Sequence, residues 1–562
     1  MEKSMFAVAV CSVFALFAGE APVSTPFDGA KTRSFVEFVP APDGVKLYTV
    51  GIAPAEAGKC PIVVSRSPYV PPAHIDMDKW AKKQKRFTDR GYAHVFQHCR
   101  GCGMSEGDWI PYENERADGL ALLDFVRSLP WYNGEIYLIG GSYGASVHWA
   151  YLDTDPPDVK GCALYVQDVN RYNIAYRNGF FKIALHGNWF VRGYKKNSRT
   201  LKRDRSVSFT QFPLCDFPQR YWGEDVPAMR NVLCHPRSDD PFWKSDEPGS
   251  GACFRNAMLK SSMPILLKTG FYDIYTDGVC AMWNELPESR KSNCSLIVDA
   301  CDHGGGHAQN LKGTLADFPN GSRGDAGIDN VDWFDAIRGK TACTNVPFGK
   351  VRYYSLWENA WLCAPKLADG PREIRMTLGD GVHSYKYDPS EKAPDFPGSG
   401  GICFGGMQVQ PPLSFRDDVL SFVLPAVTEQ MDVRGCMEAE LSVESDCEDT
   451  CFYIRVSVDK GDGRWLLLRD DIKSLAYDLA YVPGTRRKLR YRFADHAFRL
   501  SKGDRIRVDV ASACSQFVPH PNVAGEAFRV KKPRTATNRV FAAESSLVLH
   551  ILRNSGPGHR DE

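Results

Sequence analysis

The run Gly140-Gly141-Ser142-Tyr143-Gly144 sets a serine among glycines, directly after the strand-like EIYLIG (Glu135 to Gly140) and directly before the helical SYGASVHWAYL. A turn of this kind exposes a hydroxyl above a sheet, and glycines permit a backbone approach that a Cβ would obstruct. The Tyr143 amide, at the helix start, can donate to an oxyanion forming there. A serine hydroxyl is a poor nucleophile at neutral pH; it needs a histidine to take its proton and a carboxylate to orient that histidine. In the order serine, acid, histidine, Asp273 follows PILLKTG and two aromatic residues, and His303 follows SLIVDA. Both leave the carboxyl ends of successive strands, the edge where open α/β sheets place their ligand sites. Asp277 and Asp302 compete for the acid and His307 for the base, with Asp273 and His303 preferred for their rigid positions at strand ends. His98, beside the C-x-x-C of Cys99 and Cys102, reads as structural.

The elements that must hold these residues start with an extended hairpin from Val36, turning at Ala41-Pro42-Asp43-Gly44. PIVVSR, a helical DMDKWAKKQKRFTDRG, YAHVFQ, a helical NERADGLALLDFVRSL, EIYLIG and KGCALYVQDV then alternate strand with helix. That order predicts a mainly parallel sheet with helices on both faces. The expected α/β domain covers 33–169 and 264–344, interrupted by an aromatic, largely helical cap at 170–263. Phe180, Phe181, Trp189 and Phe190 of this cap are candidates either to line an apolar cleft or to form the cap's own core. From about Asn345 short alternating runs such as VRYYSLW, CFYIRVSVD and DRIRVDVAS, separated by turn residues, predict a β-sandwich or jelly roll over 345–556.

At 562 residues, with 43% hydrophobic and 24% charged side chains, the chain is too long for one core and too apolar for disorder. Sixty-nine basic and sixty-eight acidic residues leave a charge of +1, with no cationic stripe to suit nucleic acid. Lys3, the apolar stretch Met5 to Ala18 and the small residues after it read as a signal peptide over 1–21, which places the mature chain in the periplasm or medium. The stretch is shorter than the ~20 residues of a membrane span, and no later run reaches that length. Eighteen cysteines agree with export and with some disulfides. Neither Cys99 and Cys102 nor Cys447 and Cys451 has a second pair at zinc-ligand spacing, so a local disulfide or burial is expected there, and no metal or cofactor.

Several longer motifs stand around the candidate residues: RSPY (Arg66 to Tyr69), CRGCGMSEGDW (Cys99 to Trp109), WYNGEIYLIGGSYGA, TGFYD, the histidine loop, FDAIRG, and in the β-rich part DDVLSF and DKGDGR. In them the chain resembles the cocaine esterase and Xaa-Pro dipeptidyl-peptidase group of α/β-hydrolases, over most of its length. The resemblance implies a triad of Ser142, Asp273 and His303, the Tyr69 hydroxyl joining the Tyr143 amide as oxyanion hole, a helical cap and a C-terminal jelly roll. Residues and resemblance together predict an exported serine hydrolase that cleaves a small ester or amide, or a peptide, through an acyl-enzyme. Xaa-Pro dipeptidyl-peptidase action is the nearest alternative, and a carbohydrate-binding or adhesion protein on an inert scaffold is the alternative of another class. Self-association stays open. His98 stands where the family usually has an acid, Ala145 where it has a glycine, and Ala300-Cys301-Asp302 before the histidine depart from the common pattern. After Asp273, Ile274 and Tyr275 replace the carboxylates that amino-ester hydrolases of the family use to hold an ammonium group, leaving Asp277 as the one acid nearby.

Overall fold

The computed structural model describes residues 32–55, 58–196, 202–246, 249–305, 318–340, 348–398, 406–413 and 415–552. The leader expected at 1–21 and the alternative base His307 lie outside them. In chain order the first strands are β1 (Thr32–Pro40), β2 (Lys46–Pro54), β3 (Cys60–Ser67), β4 (Ala93–His98), β5 (Tyr132–Gly141) and β6 (Val159–Tyr165). A short pair, β7 (Tyr176–Arg177) and β8 (Phe180–Phe181), is followed by β9 (Ile265–Tyr272), β10 (Ser295–Asp302), β11 (Val351–Ser355) and β12 (Ala360–Ala364). All except β7 and β8 form one ten-stranded sheet in the order β1-β2-β4-β3-β5-β6-β9-β10-β11-β12. Pairing is parallel from β4 to β11 and antiparallel at both margins.

Side-chain alternation divides each central strand between two apolar faces, so these strands read as nearly continuous hydrophobic runs. Val64, Val95 and Leu138 pack with Leu122, Leu123, Val126 and Trp149 from the helices Glu115–Ser128 and Tyr143–Trp149. Their neighbours Val63 and Tyr137, with Ala163, Leu266 and Ile297, meet Phe87, Val331, Trp333 and Phe334 from Met77–Thr88 and Asn330–Ile337 on the other face. Asp76 and Asp329 cap these last two helices, accepting from the amides of Lys79 (3.1 Å) and Val331 (2.9 Å).

β11 and β12 fall inside the range expected for the β-domain, yet β11 pairs with β10 and extends the central sheet. Period-two alternation identifies a strand without saying which sheet accepts it. Beyond them, a seven-stranded and a four-stranded antiparallel sheet build the C-terminal β-domain. Leu441 and Val443 from one and Ile454, Val456 and Val508 from the other are fully buried in a common core. No helix among the described residues is long and apolar enough to cross a membrane.

The segment between β6 and β9 is short helices around an aromatic core that includes Tyr176, Phe181, Phe190, Trp222 and Trp243. Its last helix, Ala252–Lys260, instead sends Phe254, Ala257 and Met258 into the core beneath the central sheet. Val518 and Phe528 of the β-domain complete the cap core, and the Val518 amide donates to Phe181 O at 3.1 Å. The cap is thus clamped between the two larger bodies.

Candidate active site

Ser142 follows β5 with φ at +55°, a conformation that costs a side-chain-bearing residue roughly 1–3 kcal/mol and persists only where its surroundings enforce it. Those surroundings are visible. The Ser142 amide donates to Tyr165 O on β6 at 3.0 Å, and Ser142 O accepts from the Ala145 amide at 2.8 Å as the helix Tyr143–Trp149 begins. At Gly140 a Cβ would lie 2.0 Å from Gly144 O, so the turn can close only on glycine.

β9 and β10 lie side by side in parallel, with Tyr272 opposite Asp302, and so deliver Asp273 and His303 to neighbouring positions at one sheet edge. His303 Nε2 is 2.9 Å from Ser142 Oγ, and His303 Nδ1 is 3.2 Å from Asp273 Oδ2. A carboxylate only accepts hydrogen bonds, so Asp273 holds the imidazole proton on Nδ1 and leaves Nε2 as an acceptor facing the serine. Asp273 Oδ1 accepts from the Tyr275 amide at 2.7 Å, and the Tyr275 ring packs edge-on against His303 at 5.5 Å. Both Asp273 and His303 are buried. The competing acids are used otherwise: Asp302 Oδ1 accepts from the Gly304 amide at 2.9 Å, and Asp277 forms an ion pair with Arg177. The Arg177 guanidinium thus already neutralises Asp277, the acid that the sequence places nearest after Asp273.

Tyr143 is locked by its hydroxyl, which donates to Glu115 Oε1 at 2.8 Å and accepts from the Tyr112 amide at 2.8 Å and Trp109 Nε1 at 3.3 Å. Glu115 Oε2 pairs with Arg66 at 2.9 Å, and Arg66 also reaches Gln97 Oε1 at 2.9 Å. Burial pushes the Glu115 carboxyl above its ordinary range, and the Arg66 charge works against that rise. Arg100 pairs with Asp118 (2.7 Å) and Asp43 (2.6 Å), so it needs nothing from position 98. His98 instead accepts from the Met104 amide at 3.2 Å, and burial holds it down at about 4. Sequence reasoning missed this network beneath the serine; its available signal was Glu115 and Asp118 one turn apart on the inward face of a helix that otherwise buries Leu122 and Val126.

Tyr69 follows the end of β3, its amide bonded to Ser67 Oγ at 3.0 Å. Its hydroxyl accepts from Trp189 Nε1 at 2.9 Å. An indole N–H can only donate, so the phenol oxygen is the acceptor of this bond. Of the four cap aromatics, Trp189 alone reaches this site; Phe181 and Phe190 belong to the cap core, and Phe180 packs toward Phe517 and His520 of the β-domain. A cavity of 490 Å³ opens on the cap between Asn188, Val191, Phe209 and Tyr221, away from the serine, which does not line it. Cys99, Cys102, Cys447 and Cys451 are buried free thiols, so burial is what those pairs do. Among the described residues the one grouping of metal-ligand type is Asp369, Cys436 and His550 in the β-domain, where Arg492 already pairs with Asp369 at 3.1 Å.

Comparison with known proteins shows several likenesses. Residues 43–305 match the X-Pro dipeptidyl-peptidase (S15) family. A cocaine esterase from Rhodococcus sp. (strain MB1 Bresler) is 24% identical over 94% of this chain and 100% of its own length. An α-amino acid ester hydrolase structure aligns over 95% of this chain and 99% of that one, with a TM-score of 0.75 at 18% identity. A CocE/NonD family hydrolase from Staphylococcus aureus aligns over 96% of this chain and 100% of that one, with a TM-score of 0.61 at 14% identity. The last two show a shared fold.

Proposed function

We propose that this chain, whose residues 43–305 match the X-Pro dipeptidyl-peptidase (S15) family, is a serine hydrolase in which Ser142, His303 and Asp273 cleave an ester or amide bond through an acyl-enzyme. The observation that carries the proposal is the unbroken chain from Ser142 Oγ through both ring nitrogens of His303 to Asp273, at 2.9 and 3.2 Å. Ser142 Oγ attacks the carbonyl carbon as its proton passes to His303 Nε2; the imidazolium then gives that proton to the departing alcohol or amine. Water then attacks the acyl carbon as His303 takes its proton, and the imidazolium returns that proton to Ser142 Oγ as the acyl–Oγ bond breaks and the acid is released. The Tyr143 amide and the Tyr69 hydroxyl supply the donors for the oxyanion. Asp273 keeps the ring in the productive tautomer and stabilises it when charged.

A dipeptidyl-peptidase must recognise a free amino terminus, and Asp277, the acid best placed by sequence to do so, is occupied by Arg177. That favours an ester or amide without a free α-amine, in keeping with the esterase named among the relatives. We also propose that the chain is exported after loss of its leader. One preparation tests both: protein from a secreting host is treated with a fluorophosphonate and weighed intact. The expected mass is one phosphonyl adduct on a chain shortened by about its first 21 residues, with no adduct on Ser142→Ala and slowed labelling on His303→Ala. Labelling that survives Ser142→Ala refutes the nucleophile, and a full-length mass refutes export.

A further inference from the structure

Arg171, just after β6 where the cap begins, is only 2% exposed. Its Nη2 contacts His186 Nε2 at 3.1 Å, while Nε and Nη1 have no hydrogen-bond partner. Among the described residues no carboxylate pairs with it. Burying a guanidinium with nothing opposite is costly, and buried charges are ordinarily paired. Burial lowers its pKa, as expected of a cation placed without a counter-ion.

Its neighbours are those of the nucleophile and the base. The guanidinium lies 3.8 Å over the Tyr112 ring, and that ring is 4.9 Å from the ring of Tyr143, the residue after Ser142. Tyr275, which packs on His303, is also within its electrostatic reach. His186, its one hydrogen-bond partner, stacks at 6.0 Å on Trp189, the residue that holds the Tyr69 hydroxyl. By contrast Arg177 and Asp277 pair with each other.

We propose that Arg171 receives a carboxylate carried by the substrate, so that the enzyme prefers esters or amides bearing a second, anionic group. This rests on Ser142 acting as the nucleophile. Arg171 is closed off from solvent, and the carboxylate enters by displacing His186, which holds the guanidinium only through a neutral acceptor because burial keeps its imidazole unprotonated. The guanidinium fork then makes the paired, charge-assisted bonds that suit it. The surrounding rings exclude water from that ion pair.

The test compares matched substrates: the 4-nitrophenyl hemiester of glutaric acid against 4-nitrophenyl pentanoate for a carboxylate on the acyl side, and butyryl 4-hydroxybenzoate against phenyl butyrate for one on the alcohol side. In one of the pairs, wild type is expected to show a kcat/KM at least about tenfold higher for the anionic member. That ratio is expected to fall at least about tenfold in Arg171→Met and by less in Arg171→Lys. Equal rates within both pairs, or a ratio that Arg171→Met leaves intact, overturn the proposal. If Arg171→Met does not fold, wild type decides: glutarate, but not glutaramide, is expected to slow fluorophosphonate labelling of Ser142, and equal effects overturn it. Labelling without competitor reports separately on the nucleophile, so the two readings fail distinguishably.

Discussion

Replacing Tyr69 with phenylalanine isolates a single hydrogen-bond donor. The ring stays in its pocket against Trp109, Tyr143, Val147 and Trp189, so substrate contact and local packing survive. What disappears is the hydroxyl whose oxygen accepts from Trp189 Nε1 at 2.9 Å. Loss of one oxyanion donor costs about 2.7–4 kcal/mol of transition-state stabilisation, or roughly 100- to 1000-fold in kcat. Because a substrate carbonyl carries little charge before attack, kcat and kcat/KM fall together and KM scarcely moves. The orphaned indole N–H costs folding about 1 kcal/mol, too little to depopulate the native state. Steady-state hydrolysis of a 4-nitrophenyl ester over a full substrate range, with a thermal melt as control, measures each quantity. A kcat within about fivefold of wild type, or a loss confined to KM, refutes the assignment of Tyr69 to the oxyanion.

Two further outcomes follow from the turn that carries Ser142. Gly140→Ala pushes a methyl group to 2.0 Å from Gly144 O, a backbone atom that cannot swing aside; fluorophosphonate labelling of whatever protein remains folded should be lost, and normal labelling would contradict the stated cause. His148, in the helix Tyr143–Trp149 that follows this turn, accepts from Tyr151 at 2.6 Å and donates to Ile139 O at 3.2 Å, and burial holds its pKa down to about 3 against an ordinary 6.5. The folded chain therefore binds fewer protons than the unfolded one between those values, so this histidine's contribution is complete above pH 6.5 and drains away as pH falls. Relative to His148→Gln, wild type should lose about 1.4 kcal/mol between pH 7.5 and 5.5 in denaturant titrations, and a pH-independent gap would sink the explanation.

The sequence alone determined what depends on near neighbours along the chain. EIYLIG followed by Gly-Gly-Ser-Tyr-Gly specifies a strand, a sharp turn and a helix, because backbone preference and side-chain period are local properties. The strand ends at Asp273 and His303 were legible for the same reason, and parallel pairing of β9 with β10 then makes their approach almost unavoidable. Only tertiary structure decided the rest. It sent β11 and β12 to the central sheet, since alternation fixes the faces of a strand and not its partner. It joined Arg66, Glu115 and Tyr143 beneath the serine, and Arg177 to Asp277, a hundred residues apart. It also left Arg171 buried without a counter-charge. Whether a charge is paired depends on what folding brings within a few ångströms, and spacing along the chain carries no record of that.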